Sequence, residues 1–188
     1  MLVYNLGLVR QGSHILLLNR EAPSWMGCWN GIGGKLEKGE QPRASMIREM
    51  AEETGIVEAD LHFKGLITWS SPEGAGFGGM YLYVAVVTDA YDYPTPVKTA
   101  EGILDWKTSD WIKHPQNVGV ASNIPYCLDK ALYDDRCYHY HGLYENNKMI
   151  GQSSAPIDER IEADEAWRHA YLTDYIEQRR YRAAAERA

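Results

Sequence analysis

The sequence predicts an α/β or α+β sandwich, a mixed β-sheet covered by helices, that continues into a C-terminal hairpin and a long helix. Three observations predict it. Short apolar runs rich in β-formers recur along the first part of the chain. One helix among them is signalled at both ends. Beyond residue 132 the pattern changes to two alternating segments followed by a highly charged stretch with helical spacing.

Residues 2–9, 15–18, 61–69 and 80–87 are the apolar runs, separated by turn-prone Gly, Asn or Pro, and read as strands. Between the second and third, residues 42–54 place Ala44, Ile47 and Met50 at helical spacing, with Pro42 at the start and Gly55 just past the end. The stretch AYDYPTPVKTAEG reads as a linker before a short strand at 103–106. After the loop HPQNVGVASN, residues 124–132 read as a second helix. CYHYHGLYENNKMIG then gives a hairpin around Asn146 and Asn147, and 158–188 a long charged helix. The expected organisation is one domain over residues 1–132 and an extension over 133–188 that packs on the core or on a partner subunit.

Composition narrows the function classes. A chain of 188 residues with 45% hydrophobic content buries one sizeable core. With 26 acidic against 19 basic residues and a net charge of −7, it lacks the broad basic surface that polymeric nucleic acid requires. No basic stretch leads into a long apolar region near the start and no window reaches the length of a membrane span, so the expectation is a cytoplasmic protein without a membrane partner. Cys28, Cys127 and Cys137 are too few and too far apart for a disulfide framework.

The chemistry lies in GKLEKGEQPRASMIREMAEETGI, residues 34–56. At 100° per residue, Glu49, Glu52 and Glu53 share one helix face at i, i+3 and i+4. Like charges so close repel and raise one another's pKa, so the arrangement calls for a cation, and hard oxygen ligands suit Mg²⁺ or Mn²⁺. The plain alternative is a solvated acidic face balanced by Arg48, Lys35, Lys38 and Arg43. Gly34 stands where a loop must approach the helix closely, and the Gly33 carbonyl is a candidate oxygen ligand. Arg48 precedes Glu52 by four residues and can orient it.

Gly34, Glu40, Arg48-Glu49, Glu52-Glu53 and Gly55 stand at the defining positions of the Nudix box, and the chain resembles the Nudix hydrolases. Seven fixed residues at ~6% each coincide by chance in about one of 10⁸ to 10⁹ windows. The resemblance implies an α/β/α sandwich, hydrolysis of a nucleoside diphosphate linked to another moiety, and divalent cation ligands at Glu49, Glu52 and Glu53, with the Gly33 carbonyl added. WNGIGGK, residues 29–35, and the segment after the last core strand are similar to MutT-type 8-oxo-dGTP diphosphatases, which release a nucleoside monophosphate and pyrophosphate. That implies nucleotide-pool sanitation, with Asn30 at the base. An amide both donates and accepts, as a purine edge demands, although Asn30 equally suits an ordinary loop cap. Asn30, Lys35 and Arg20 form the expected substrate-binding set, and Glu52, Glu53, Arg48 and Glu101 the catalytic one. Glu101 matches a carboxylate near the metals in some relatives, or is a solvated strand-end charge.

Other features carry weaker chemistry. Trp25, Trp29, Trp69, Trp106 and Trp111 offer stacking surfaces for a base. Cys137, His139 and His141 alternate on one strand face and would supply part of a zinc site, against the plainer reading of an ordinary strand. Ile161, Trp167, Tyr171, Tyr175 and Ile176 form a stripe against the core or a second copy, the latter giving a homodimer. The rival functions are another Nudix hydrolase acting on nucleotide sugars, ADP-ribose or dinucleoside polyphosphates, and a module that binds a nucleotide without cutting it. Such modules commonly lose box residues, and none is lost here.

Overall fold

A computed structural model describes residues 2–73, 75–146 and 148–185. Asn147, half of the expected hairpin turn, and residues 186–188 of the expected helix lie outside them. The described strands are β1 (Tyr4–Gln11), β2 (His14–Arg20), β3 (Trp29–Asn30), β4 (Asp60–Ser70), β5 (Gly78–Val86), β6 (Val97–Lys98), β7 (Gly102–Thr108), β8 (Cys137–Glu145) and β9 (Lys148–Ile157). The helices are α1 (Pro42–Thr54), α2 (Ser109–Lys113), α3 (Asn123–Tyr133) and α4 (Glu165–Ala185).

All nine strands join one mixed sheet in the order β6-β7-β2-β1-β5-β4-β8-β9, with β3 paired to the side of β2. The pairs β1–β5 and β4–β8 are parallel and the others antiparallel. Residues 5–9 of β1 are buried without alternation, because helices cover both faces of the central strands. On one face α1 packs through Met46 and Met50 over Leu16, Leu18, Leu66 and Tyr83. On the other, α3 packs through Ile124 and Leu128 over Leu8, Leu17 and Val84. This is the α/β/α sandwich that the sequence leads one to expect.

Helix α1 begins at Pro42 and stops where Gly55 takes a left-handed φ of 74° and donates its N–H to Ala51. Its buried stripe is Pro42, Ser45, Met46, Met50 and Thr54. The row Ala44, Ile47, Met50 that the spacing highlights is only partly inward, since Ile47 is 48% exposed. Gly7 on β1 lets α1 approach, as a Cβ there would stand 2.6 Å from Met46 Cε.

The segment beyond residue 133 continues the same sheet. Six register pairs from Gly65↔Tyr138 to Ser70↔Leu143 join β8 to β4, and β9 extends the edge. The expected helix over 158–188 is broken at its start. Asp158 caps a single 3₁₀ turn at Glu159–Ile161, and Asp164 then accepts from the Trp167 N–H, so the long helix begins only at Glu165. Helix α4 lies on the α1 face, with Leu172 buried in that core.

Beneath α4 runs a buried chain of hydrogen bonds that the alternation of Cys137, His139 and His141 foreshadows. Ser70 Oγ donates to the Ser71 carbonyl, so it accepts from His141 Nε2 at 3.2 Å. Neutral imidazoles then fix the remaining directions: Thr68 donates to His141 Nδ1 and accepts from His139 Nε2, each at 2.7 Å, and Tyr171 donates to His139 Nδ1 at 2.9 Å. Both rings are held neutral, chiefly by burial, with pKa values lowered to about 3 for His139 and about 4 for His141. The Cys137 thiol points to the Phe63 carbonyl, and no group of three His, Cys, Asp or Glu among the described residues could hold a metal ion. Nor is any described helix long and apolar enough to cross a membrane.

Candidate active site

The site forms where the loop 31–41 crosses the open flank of α1. Asn5 on β1 donates its backbone N–H to the Gly34 carbonyl at 2.8 Å, and Gly7 exchanges two hydrogen bonds with Ile32, so the loop lies along β1 like a short extra strand. Gly33 sits at φ 135°, where a Cβ would stand 2.5 Å from the Asn5 carbonyl oxygen. At Gly34 a Cβ would stand 2.6 Å from both carboxylate oxygens of Glu49. Both glycines are therefore space requirements, and the second is imposed by the candidate metal face itself.

Arg48 is the hub of the charged face. Its Nε and Nη2 donate to Glu40 at 2.9 and 3.0 Å, a two-pronged pair, while Nη1 donates to both Glu49 and Glu52 at 3.0 Å. The Arg48 guanidinium holds the Glu40 carboxyl down to about 2, and Glu40 in turn, with Glu49 and Glu52, drives the arginine's pKa upward. Glu40 also accepts from the Glu37 N–H, closing the turn before α1. Its role as the principal partner of Arg48 is invisible in sequence, since eight residues separate them across a turn.

Glu53 has no such cation. Its Oε2 accepts from the Gly33 N–H at 3.0 Å. Burial nevertheless pushes its pKa up to about 7, with Glu49 and Glu101 pushing the same way and Arg20 opposing them weakly. Glu101 reaches this neighbourhood because Gly102 pairs with Arg20 at the ends of β7 and β2, and the Glu101 carbonyl accepts from the Glu21 N–H. Arg20 lies two residues beyond Leu18 on the α1 face of β2, its Nε bound to the Ser24 carbonyl.

The structure thus gathers Glu49, Glu53, Glu101, Arg20 and the Gly33–Gly34 loop, with Glu52 at the exposed rim, 60% accessible. Lys35 is exposed in the loop, and its carbonyl receives Arg48 Nη2 at 3.4 Å. Asn30 stands apart from the carboxylates: it pairs with Leu18 across β3 and β2, and its Oδ1 accepts from the Gly31 N–H at 2.9 Å.

By donor type these residues suit a hard divalent cation. Their donors are carboxylate and carbonyl oxygens, and Glu53, its pKa raised first by burial and then by Glu49 and Glu101, has no cationic side chain bonded to it among the described residues. The three helix glutamates share a face without meeting at a point, because Arg48 Nη1 holds Glu49 and Glu52 while the Gly33 N–H holds Glu53. Among the described residues no three carboxylates are close enough to ligate one ion.

Asn123 is a residue that sequence reasoning passed over. It opens α3, and its buried Oδ1 has no hydrogen-bond partner among the described residues. Trp29 lies close by, bonded through its backbone to Gly119 and Ala121, and Lys107 Nζ sits 4.3 Å from the Trp29 ring centre and 5.3 Å from that of Trp111. Of the five tryptophans named above as stacking surfaces, Trp29 and Trp111 are edge-to-face at 6.3 Å, whereas Trp106 donates its ring N–H to the Tyr93 carbonyl.

Comparisons with known proteins give the family and the fold. The family model described as the NUDIX domain matches residues 3–124. An uncharacterised Nudix hydrolase, YvcI of Bacillus subtilis, is 33% identical over 125 residues, covering 66% of this chain and 75% of that protein. The mouse protein named oxidized purine nucleoside triphosphate hydrolase is 31% identical over 152 residues, covering 79% of this chain and 83% of that protein. The crystal structure of a MutT protein from Bacillus halodurans superposes with a TM-score of 0.66 at 21% identity, over 80% of this chain and 95% of that one.

Proposed function

The chain belongs to the Nudix hydrolase family, and from that premise we propose that it cleaves a nucleoside triphosphate to the monophosphate and pyrophosphate, acting on an oxidised purine nucleotide such as 8-oxo-dGTP. The observation that carries the hydrolytic reading is Glu53. It is a carboxylate set under the glycine loop, among Glu49 and Glu101, with its pKa raised to about 7. A largely buried carboxylate held by the Gly33 N–H, with one oxygen left over, is placed to accept a proton from a water molecule, as a general base must.

Glu49, Glu52, Glu53 and the Gly33 carbonyl would hold Mg²⁺, with Mn²⁺ as a substitute, and the ion supplies positive charge against the phosphates. Glu53 accepts the proton of the attacking water. Glu101 is the second carboxylate at this end of the cleft and serves as an alternative base or an extra ligand. Arg48 restrains Glu49 and Glu52, and Glu52 must leave Arg48 Nη1 for the face to close on an ion, which its exposed position permits. Arg20 and Lys35 flank the cleft as cations for substrate phosphates.

Support for the oxidised purine comes from the mouse relative's name and from two asparagines. Asn30 offers amide donors, since its Oδ1 alone is engaged among the described residues. The Asn123 Oδ1, closed to solvent in the free protein, is an acceptor with no partner among the described residues. A cytoplasmic sanitising role that spares DNA from damaged precursors follows from this substrate. The deciding experiment is a Mg²⁺-dependent panel of 8-oxo-dGTP, dGTP, other nucleoside triphosphates, ADP-ribose and nucleotide sugars, compared by kcat/KM. A preference for 8-oxo-dGTP over dGTP above ~10-fold supports the reading, and a smaller one overturns it.

A further inference from the structure

Helix α1 has an unusually bare beginning. Gln41 at its N-cap makes no side-chain capping bond, and no acidic residue stands in the first turn. Pro42 presets the first turn, but neither a capping side chain nor a first-turn carboxylate adds to it. Long-range bonds take their place. Asn5 Nδ2 donates to the Pro42 carbonyl at 3.1 Å. Arg43 reaches across to Glu162, with Nε and Nη2 on the two carboxylate oxygens at 2.8 and 3.1 Å, while its Nη1 donates to the Leu61 carbonyl at 2.8 Å.

Glu162 is itself held from every side. The hydroxyl of Tyr83, whose ring is fully buried in the sheet, donates to the same Oε1 at 3.0 Å. Arg168 on α4 donates to the carbonyls of Ile161 and Glu162, each at 2.9 Å, and the Ile161 side chain is buried in the core under α1. The carboxylate is only 17% exposed, while the Arg43 side chain that meets it is 46% exposed, so the pair is half-open to water and its hold comes from the two-pronged geometry and the added Tyr83 hydroxyl. It lies in the segment between β9 and α4, outside the matched domain of residues 3–124.

We propose that Glu162 is a positioning residue for the hydrolytic reaction. Through Arg43 and Tyr83 it fixes the first turn of α1 on the sheet, and with it the register of Arg48 and Glu49 against the Gly33–Gly34 loop. The C-terminal segment then completes the active domain. Glu49 has no room to follow a drifting helix, because its carboxylate already fills the space above Gly34. The inference rests on the reading of α1 as the helix that carries the reacting groups.

The test uses the full chain with Glu162→Gln, which keeps the shape but turns amide hydrogens toward Arg43. Arg160→Ala is the control, since Arg160 pairs with exposed Asp158 in the same segment. Two measurements are made: backbone hydrogen exchange of residues 43–54 in metal-free protein, and kcat and KM for the best nucleotide of the panel with Mg²⁺. For Glu162→Gln, exchange in α1 should rise by about 5-fold or more relative to β1 and β2, and kcat should fall about 10-fold with KM within about 3-fold. The control should change neither.

Exchange that rises equally throughout the chain would show a purely structural residue and overturn the proposal, as would unchanged exchange and kcat. If wild-type protein turned over none of the nucleotides, the functional reading would fail. In that case the exchange measurement alone would still decide whether Glu162 holds α1.

Discussion

The carboxylate of Glu49 occupies the space that a side chain on Gly34 would need, with both its oxygens 2.6 Å from the position of a Cβ there. Gly34→Ala must therefore push Glu49 off the loop or push the loop off β1. The backbone at Gly34 is otherwise ordinary, with no positive φ to defend. We expect the variant to fold with a melting temperature near that of wild type and to lose about 100-fold in kcat, as a misplacement near 1 Å does in an organised site. Steady-state kinetics beside a thermal melt checks this, and activity within a few-fold of wild type would show that Glu49 is free to move.

Arg48 joins three carboxylates with one guanidinium, so Arg48→Lys is not a conservative change. A single ammonium cannot reproduce the two-pronged contact to Glu40 while also reaching Glu49 and Glu52. We expect kcat to fall by about 10- to 100-fold and the Mg²⁺ concentration for half-maximal activity to rise. Glu40→Gln should act through the same network, so the double variant should be little worse than the more damaging single one. Additive losses would separate the two residues.

Much of this site is legible in sequence because it is local. Glu49, Glu52 and Glu53 share a face by helical period alone, and Gly34 and Gly55 mark where the loop and the helix end. What is not legible depends on chain segments meeting. Glu40 finds Arg48 across a turn, Glu101 reaches Glu53 through the pairing of β7 with β2, and Arg43 finds Glu162 across 119 residues. The short strands β3 and β6 also escape notice, because two residues give no period. The break at Asp164 is a capping event inside an otherwise continuous helical pattern.

Glu53 is expected to make the metal-free protein less stable as pH rises. Its folded pKa of about 7 lies above the ordinary 4.5, so its favourable contribution is complete below pH 4.5 and is lost as pH rises through about 7. The loss is on the order of 3 kcal/mol. In EDTA, Glu53→Gln should melt increasingly above wild type between those pH values, with a constant gap at higher pH. Mg²⁺ should narrow the gap by stabilising wild type alone. The same variant should lose metal-dependent turnover by well over 10-fold. A melting difference independent of pH would show that Glu53 carries no such burden.

The histidine pair gives the opposite pH dependence. His139 and His141 are held neutral with pKa values of about 3 and about 4, below the ordinary 6.5, so their contribution is complete above pH 6.5 and is lost as pH falls through those values. Protonating either ring would add a donor where Thr68 or Tyr171 already donates, and would place charge beneath α4 beside Arg179. Urea unfolding should therefore show stability declining below pH 6.5 by up to ~1.4 kcal/mol per pH unit for each ring. Amides of α4 should lose protection before those of β1 and β5, because α4 covers the pair while those strands do not. His139→Asn should reduce the slope by about half, leaving His141 to supply the rest. Equal slopes in wild type and variant would place the acid sensitivity elsewhere in the chain.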